Sequence, residues 1–99
     1  MHVPYLLLPA LLAAAPLIAQ QPPVRALQED VIPTSAGDLT ITFVGHGTLM
    51  LRHGGKVIHV DPVGREADYS RMPKADLILI THEHGDHLDT AAVEMLRKD

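Results

Sequence analysis

Four consecutive apolar residues, LILI at 77–80, are separated by only Thr81 from the cluster HEHGDH at 82–87, and this junction limits the possible folds more than any other feature. A short continuous apolar run is typical of a strand covered on both faces, whereas a half-exposed strand alternates apolar and polar residues. The run therefore predicts a central strand with neighbours on both sides. The polar cluster follows at its carboxyl end, where sheet proteins commonly place binding sites.

The spacing within the cluster predicts a metal site. In an extended backbone, residues two apart point to the same face, so His82 and His84 can converge on one ion. Gly85 permits a sharp change of direction, which would bring Asp86 and His87 beside the first pair. Two pairs of ligands predict two divalent cations, which together can activate water for hydrolysis. Because the chain contains no cysteine, the ligands are nitrogen and oxygen, which suit zinc and also iron or manganese.

The remaining sequence predicts several strands and one short helix. Strands are predicted at 39–44, 48–53, 56–60 and 77–80. Gly54 and Gly55 lie between the second and third of these, where a two-residue hairpin turn is expected. The helix is predicted at 91–99, capped by Asp89 or Thr90. The fold class is therefore α/β (α+β), mostly β-strands with one short C-terminal helix.

Three motifs resemble the metallo-β-lactamase superfamily. HxHxDH is the metal-binding motif of that superfamily, and KVIHVDP resembles its early strand that ends in an aspartate. ITFVGHGT resembles the branch that includes ascorbate-6-phosphate lactonase, with Gly47 where that branch commonly has alanine. The resemblance covers 38–99 and implies the N-terminal part of an αββα sandwich.

The resemblance also implies roles for individual residues. His82 and His84 would bind the first metal, and Asp86 and His87 the second, with Asp86 also orienting the nucleophilic water. Asp61 would lie beside the site as an orienting or structural residue rather than a ligand. His46 would either line the pocket or fix its own turn. The implied reaction is attack by a metal-bound hydroxide on an ester, lactone, amide or phosphoester, with the substrate itself a small molecule that the sequence does not identify.

The superfamily's complete site uses further ligands, which this sequence does not contain after His87. No histidine follows that residue, and the only later aspartates are Asp89 and Asp99. Since a catalytic zinc normally has three protein ligands, each metal is expected to be at least one ligand short. The chain is therefore expected to be the N-terminal part of a hydrolase and inactive alone. The alternative is a small exported module that binds a transition metal without catalysis.

The N-terminal sequence predicts export. Residues 3–19 carry no charge and end in a small residue, Ala19, so 1–19 is interpreted as a signal peptide that leaves no stable membrane anchor once cleaved. Residues 20–37 mix prolines with polar residues and predict an extended linker, followed by the partial domain at 38–99. The expected location is the periplasm or the exterior. A net charge of -4 and a pI near 5.9 argue against nucleic acid as a partner.

Other polar and apolar residues have simpler interpretations. Glu83 points away from the ligand histidines in extended geometry, so it is expected to be solvated. His53 and His59 flank the hairpin and are expected on the surface. Met95 and Leu96 are expected in the core.

Overall fold

The computed structural model describes residues 1–2, 4, 10, 12–19 and 25–99. Within these residues, five strands form one sheet in the order β1-β2-β3-β4-β5, with β4 and β5 parallel and the other pairs antiparallel. The strands are β1 Gln28–Ile32, β2 Leu39–Gly45, β3 Thr48–His53, β4 Lys56–Val60 and β5 Leu77–Leu79. A short 3-10 helix, Tyr69–Arg71, and one α-helix, α1 Thr90–Leu96, complete the fold. The predicted mostly β structure with one short C-terminal helix is confirmed.

The β3–β4 hairpin forms as predicted. His53 pairs with Lys56 across the turn, and Gly54 and Gly55 have φ angles of 56° and 75°. Positive φ at both central positions is typical of the turn that matches the twist of a hairpin, and glycine adopts it without steric cost.

One face of the sheet is covered by the two helices. Thr42, Met50, His59 and Ile78 lie opposite one another across β2 to β5 on this face. The first three are buried, and Ile78 packs against the cluster formed by the helices. His59 is fully buried, so the prediction of a surface position for it was wrong.

α1 closes this face. Asp89 caps the helix by accepting from the backbone N–H groups of Ala91 and Ala92, which confirms it as a cap. Ala92 and Leu96 lie one turn apart and are buried, because both point toward the 3-10 helix. Met95 is 47% exposed, so its predicted place in the core was wrong.

The opposite face of the sheet carries an apolar surface that the described residues leave partly open. The side chains alternate along each strand, so a second set of rows faces away from the helices. Its members include Ile41, Phe43, Leu49, Leu51, Ile58, Val60, Leu77 and Leu79. Phe43 is 43% exposed and Leu79 is 45% exposed.

The strand before the metal cluster differs from its prediction. β5 has β4 on one side and is an edge strand within the described residues, and Leu77 is 48% exposed. The expectation of a central strand covered on both faces was therefore wrong for this chain.

The structure describes only some of the residues for which the signal peptide and the linker are predicted. The predicted signal peptide includes residues 3, 5–9 and 11, and the predicted linker includes 20–24, all outside the described residues. Gln28–Ile32, inside the predicted linker, is a strand paired with β2, so the sheet begins before residue 38. No helix among the described residues is both long and apolar enough to span a membrane.

Candidate metal centre

The predicted metal ligands gather at one edge of the sheet. Asp61 follows β4 and Thr81 lies just after β5, and because these strands are parallel their carboxyl ends meet. The backbone N–H of Asp61 donates to the Leu79 carbonyl at 2.9 Å, which holds the two strand ends together. The 82–88 loop continues from β5, and the β2–β3 turn, residues 45–47, faces it.

The structure brings nitrogen and oxygen donors together in two groups of three. In each group the donor atoms all lie within 4.8 Å of one another. The first group is His82, His84 and Asp86, and the second is His46, Asp86 and His87. The ring centroids of His82 and His87 are 3.9 Å apart, and those of His82 and His84 are 4.6 Å apart. The four predicted ligands therefore lie in one cluster, and Asp86 belongs to both groups.

The loop curls back on the carbonyl of His84. This carbonyl accepts from the backbone N–H groups of His87 and Leu88, both at 2.8 Å, which turns His87 toward the first histidines. Gly85 does not have a positive φ, and a Cβ there would meet no atom within 4 Å. The turn therefore depends on backbone hydrogen bonds rather than on the conformational freedom of glycine. Glu83, predicted to be solvated, is exposed.

Asp61 supports the cluster through hydrogen bonds with Thr81 and His87. Its side chain is buried and accepts three hydrogen bonds, from the Thr81 N–H at 2.7 Å, the Thr81 hydroxyl at 2.6 Å and His87 Nδ1 at 2.8 Å. Burial acts to raise the pKa of Asp61, but the bonds from Thr81 and His87 outweigh this effect and lower it. The carboxylate is therefore ionised at neutral pH and acts only as an acceptor.

This network determines where the protons lie on two histidines. Because a carboxylate only accepts, His87 donates from Nδ1, and the single Thr81 hydroxyl hydrogen points to Asp61. His82 Nδ1 lies 2.9 Å from the same hydroxyl oxygen and must donate to it. Both imidazoles thus keep Nε2 unprotonated when neutral, which is the form that binds a metal.

Asp86 is the more accessible carboxylate of the cluster, with its side chain 40% exposed. Desolvation acts to raise its pKa, but its own backbone N–H and the nearby His87 and His46 rings together lower it. His46 Nε2 lies 3.0 Å from Asp86 Oδ2, and His87 Nε2 lies 3.7 Å from the same oxygen. An ionised carboxylate thus faces two imidazole nitrogens.

The β2–β3 turn is shaped to approach the cluster closely. His46 has φ 50°, and Asp61 has φ 47°, and both lie beside the donors. Left-handed backbone is unusual for residues other than glycine and costs of order 1–3 kcal/mol, which the surrounding structure must offset. A Cβ added at Gly47 would lie 2.8 Å from His87 Cε1, so this glycine makes room for the ring.

The donor set fits a divalent transition metal. It combines imidazole nitrogens with one ionised carboxylate at separations that one ion can bridge, and these ligand types suit zinc, iron and manganese. His82, His84, Asp86 and His87 would hold the metal, and Asp61 contacts His87 without joining either donor group. The ligand and catalytic roles of these residues remain predictions.

Sequence reasoning missed two contributors to this arrangement. Thr81 links Asp61 to His82 through one hydroxyl, and Gly47 provides the space for His87. The only available signal for Thr81 was its place between the apolar strand and the first histidine. The only signal for Gly47 was that it stands where the lactonase-like branch commonly has alanine.

A separate cavity of about 540 Å³ lies on the helix-covered face. It is lined by β1 to β3 residues and by the loop around the 3-10 helix, including Leu27, Thr42, Met50 and Met72. None of the histidines or Asp86 of the two donor groups lines it, so it is distinct from the cluster.

Comparison with known proteins identifies the family. The sequence profile described as "Beta-lactamase superfamily domain" matches residues 40–96, from β2 to the end of α1. This chain belongs to the β-lactamase superfamily. The resemblance seen in its motifs is thus confirmed at the level of the superfamily and its fold.

Several superfamily relatives are named metal-dependent hydrolases. A UPF0173 metal-dependent hydrolase of Flavobacterium johnsoniae is 45% identical over 56 residues, covering 50% of this chain and 24% of that protein. A crystal structure at 2.30 Å from Parabacteroides distasonis, provisionally named a metal-dependent hydrolase, is 54% identical with a TM-score of 0.72. The match covers 74% of this chain and 34% of the Parabacteroides chain.

Another relative is named for different chemistry. A cytidine monophosphate-N-acetylneuraminic acid hydroxylase of Asterias rubens is 31% identical over 84 residues, covering 70% of this chain and 13% of that protein. This chain therefore spans about a quarter or less of these curated relatives. Membership alone does not determine the reaction.

Proposed function

We propose that this chain supplies the metal-binding part of a metal-dependent hydrolase. The observation that carries the proposal is the convergence of His82, His84, Asp86 and His87 at the ends of two parallel strands, above a buried carboxylate. The hydrolase names of several relatives support it. The proposed cofactors are two divalent cations, with zinc first and iron or manganese as alternatives.

The chemistry of the bound cations would be to lower the pKa of water and to polarise the substrate oxygen. The protein's own residues prepare the site for this. Asp61 keeps the proton of His87 on Nδ1, and Thr81 does the same for His82, so both rings present Nε2 to the centre. Asp86, ionised and partly exposed, can accept a hydrogen bond from the attacking water and align it.

The proposed substrate is a small molecule with an ester, lactone, amide or phosphoester bond. A lactone is favoured by the resemblance of ITFVGHGT to the lactonase-like branch. The net charge of -4 makes nucleic acid a poor candidate. We also propose export to the periplasm or exterior, supported by the uncharged stretch at 3–19.

We further propose that more ligands join the centre in the active protein. This chain spans 24% of the Flavobacterium hydrolase, and part of its apolar sheet face is open in the described residues. Both observations support a contribution from residues beyond those described here. Native mass spectrometry of the protein from its own source tests this, since one spectrum reports chain mass, signal cleavage and metal count.

The activity test uses that same native product. It is assayed against matched ester, lactone, amide and phosphoester substrates, with and without added Zn²⁺. We expect His82→Ala and Asp86→Ala to abolish turnover and reduce metal content. His53→Ala is the matched control, because His53 lies at the β3–β4 hairpin and bonds the Asp38 carbonyl instead.

The outcomes separate the candidate functions. Turnover that depends on His82 and Asp86 supports the hydrolase. Weakly held metal, without turnover of any substrate class, favours the exported metal-binding module. Full activity in His82→Ala would refute the assignment of the site.

A further inference from the structure

We propose that His46 is itself a metal ligand and completes a second three-donor site with Asp86 and His87. This inference rests on the proposed function, because it adds a ligand to the same metal centre. It differs from the prediction that each metal lacks a ligand within this chain. The sequence left two roles open for His46, lining the pocket or fixing its own turn, and metal ligation is more specific than either.

The distances support ligation. Two donors bound to one zinc at about 2.0 Å with tetrahedral angles lie roughly 3.3 Å apart. Asp86 Oδ2 is 3.0 Å from His46 Nε2 and 3.7 Å from His87 Nε2, values on either side of that spacing. All three donor atoms lie within 4.8 Å of one another. One ion can therefore contact all three after small side-chain adjustments.

The backbone also favours this role. His46 occupies a left-handed conformation with φ 50° between Gly45 and Gly47. A Cβ at Gly47 would lie 2.8 Å from the His87 ring, and the His46 and His87 ring centroids are 5.1 Å apart. The turn thus approaches the second donor group closely and holds an imidazole against it at a conformational cost.

The number of ligands is suited to catalysis. Three protein ligands with an open position are the usual arrangement of a catalytic zinc. With His46 included, each of the two groups offers three donors, and Asp86 is shared. The side chain of His46 is 49% exposed, so an ion can reach it from solvent.

Ligation requires one proton to move. Asp86 is an acceptor, so His46 donates from Nε2 in the metal-free protein. For a neutral ring to bind the ion through Nε2, this proton leaves to solvent and Nδ1 takes one up, so the imidazole stays neutral. The ion then takes the Nε2 lone pair, and Asp86 exchanges a hydrogen bond for a metal bond.

The test counts ions and measures their affinities. The full chain is loaded with Co²⁺, and bound ions are counted by native mass spectrometry while the visible absorption reports their coordination. His46→Asn is the principal variant, because asparagine tolerates left-handed backbone and so preserves the turn. His46→Gln retains a side-chain N–H donor for Asp86, and His53→Ala is the control.

We expect the wild-type chain and His53→Ala to bind two ions. His46→Asn and His46→Gln should weaken the second ion by more than the 10–100-fold typical of losing a residue that only orients a ligand. Circular dichroism should stay unchanged.

Other results overturn the inference. Two ions bound to His46→Gln with wild-type affinity and spectrum would mean that His46 only donates to Asp86, and the proposed hydrolase would be unaffected. A wild-type chain that binds no Co²⁺ would refute the metal centre as a whole.

Discussion

Asp61→Asn tests the hydrogen-bond network beneath the metal centre. Asp61 Oδ1 accepts from the Thr81 N–H, while Oδ2 accepts from both the Thr81 hydroxyl and His87 Nδ1. An asparagine that keeps its carbonyl oxygen on the Thr81 N–H places an NH₂ group where Oδ2 was. His87 can then hydrogen-bond to it only by accepting at Nδ1, which transfers its proton to Nε2.

The magnitude follows from that transfer. Nε2 is the His87 nitrogen that faces Asp86 at 3.7 Å, so a proton there blocks the lone pair that would bind the metal. Replacing a residue that orients a metal ligand typically costs 10–100-fold in affinity, or about 1.4–2.7 kcal/mol. The free energy of unfolding should also fall by about 1–3 kcal/mol, because the buried carboxylate loses the hydrogen bonds donated by the Thr81 hydroxyl and His87 Nδ1.

Two measurements check this prediction. Calorimetric titration with Zn²⁺ in the presence of a competing chelator gives the affinity, and ¹H–¹⁵N spectra of the imidazoles give the tautomer of His87. Asp68→Asn is the control, because Asp68 caps the 3-10 helix and bonds Ser70 outside either donor group. Unchanged Zn²⁺ affinity with the His87 proton still on Nδ1 would refute the reasoning.

Three further predictions concern the turn, the core and the helix. Gly47→Ala should weaken Zn²⁺ binding about tenfold, because its Cβ would lie 2.8 Å from His87 Cε1, whereas Gly85→Ala should bind normally, since its Cβ meets nothing within 4 Å. Burial lowers the pKa of His59 in the folded state despite its hydrogen bond to the Pro73 carbonyl. As pH falls below about 6.5, His59 is therefore protonated in the unfolded state before it is protonated in the folded state. Stability of the metal-free chain should therefore fall below that pH, and less so in His59→Gln, as thermal unfolding at pH 7 and pH 5 can measure. Asp89→Ala should lower the free energy of unfolding in urea by about 1–2 kcal/mol, because the helix loses its cap.

Each of these has a contradicting result. Equal Zn²⁺ affinity in the two glycine variants would mean that the His87 ring does not need the space at Gly47. An identical pH dependence in wild type and His59→Gln would assign it to other groups. For the cap, a stability equal to wild type in Asp89→Ala would show that α1 does not depend on that carboxylate.

The sequence alone determined the local features of this protein. Gly54 and Gly55 specify the hairpin, because their left-handed conformation suits glycine and matches the strand twist. Asp89 specifies the start of α1, because its carboxylate accepts N–H groups two and three residues later. The HxHxDH spacing determined which donors enter one loop, since their separation along the chain is six residues or fewer.

Only the tertiary structure decided how those donors are supported. His46 reaches Asp86 across 40 residues of sequence, and Asp61 reaches His87 across 26, so neither contact follows from a local pattern. His59 lies between two half-buried residues of the opposite sheet face, yet the helices cover its own face and bury it completely. Local rules describe elements a few residues long, whereas burial and proton placement depend on which elements meet in space.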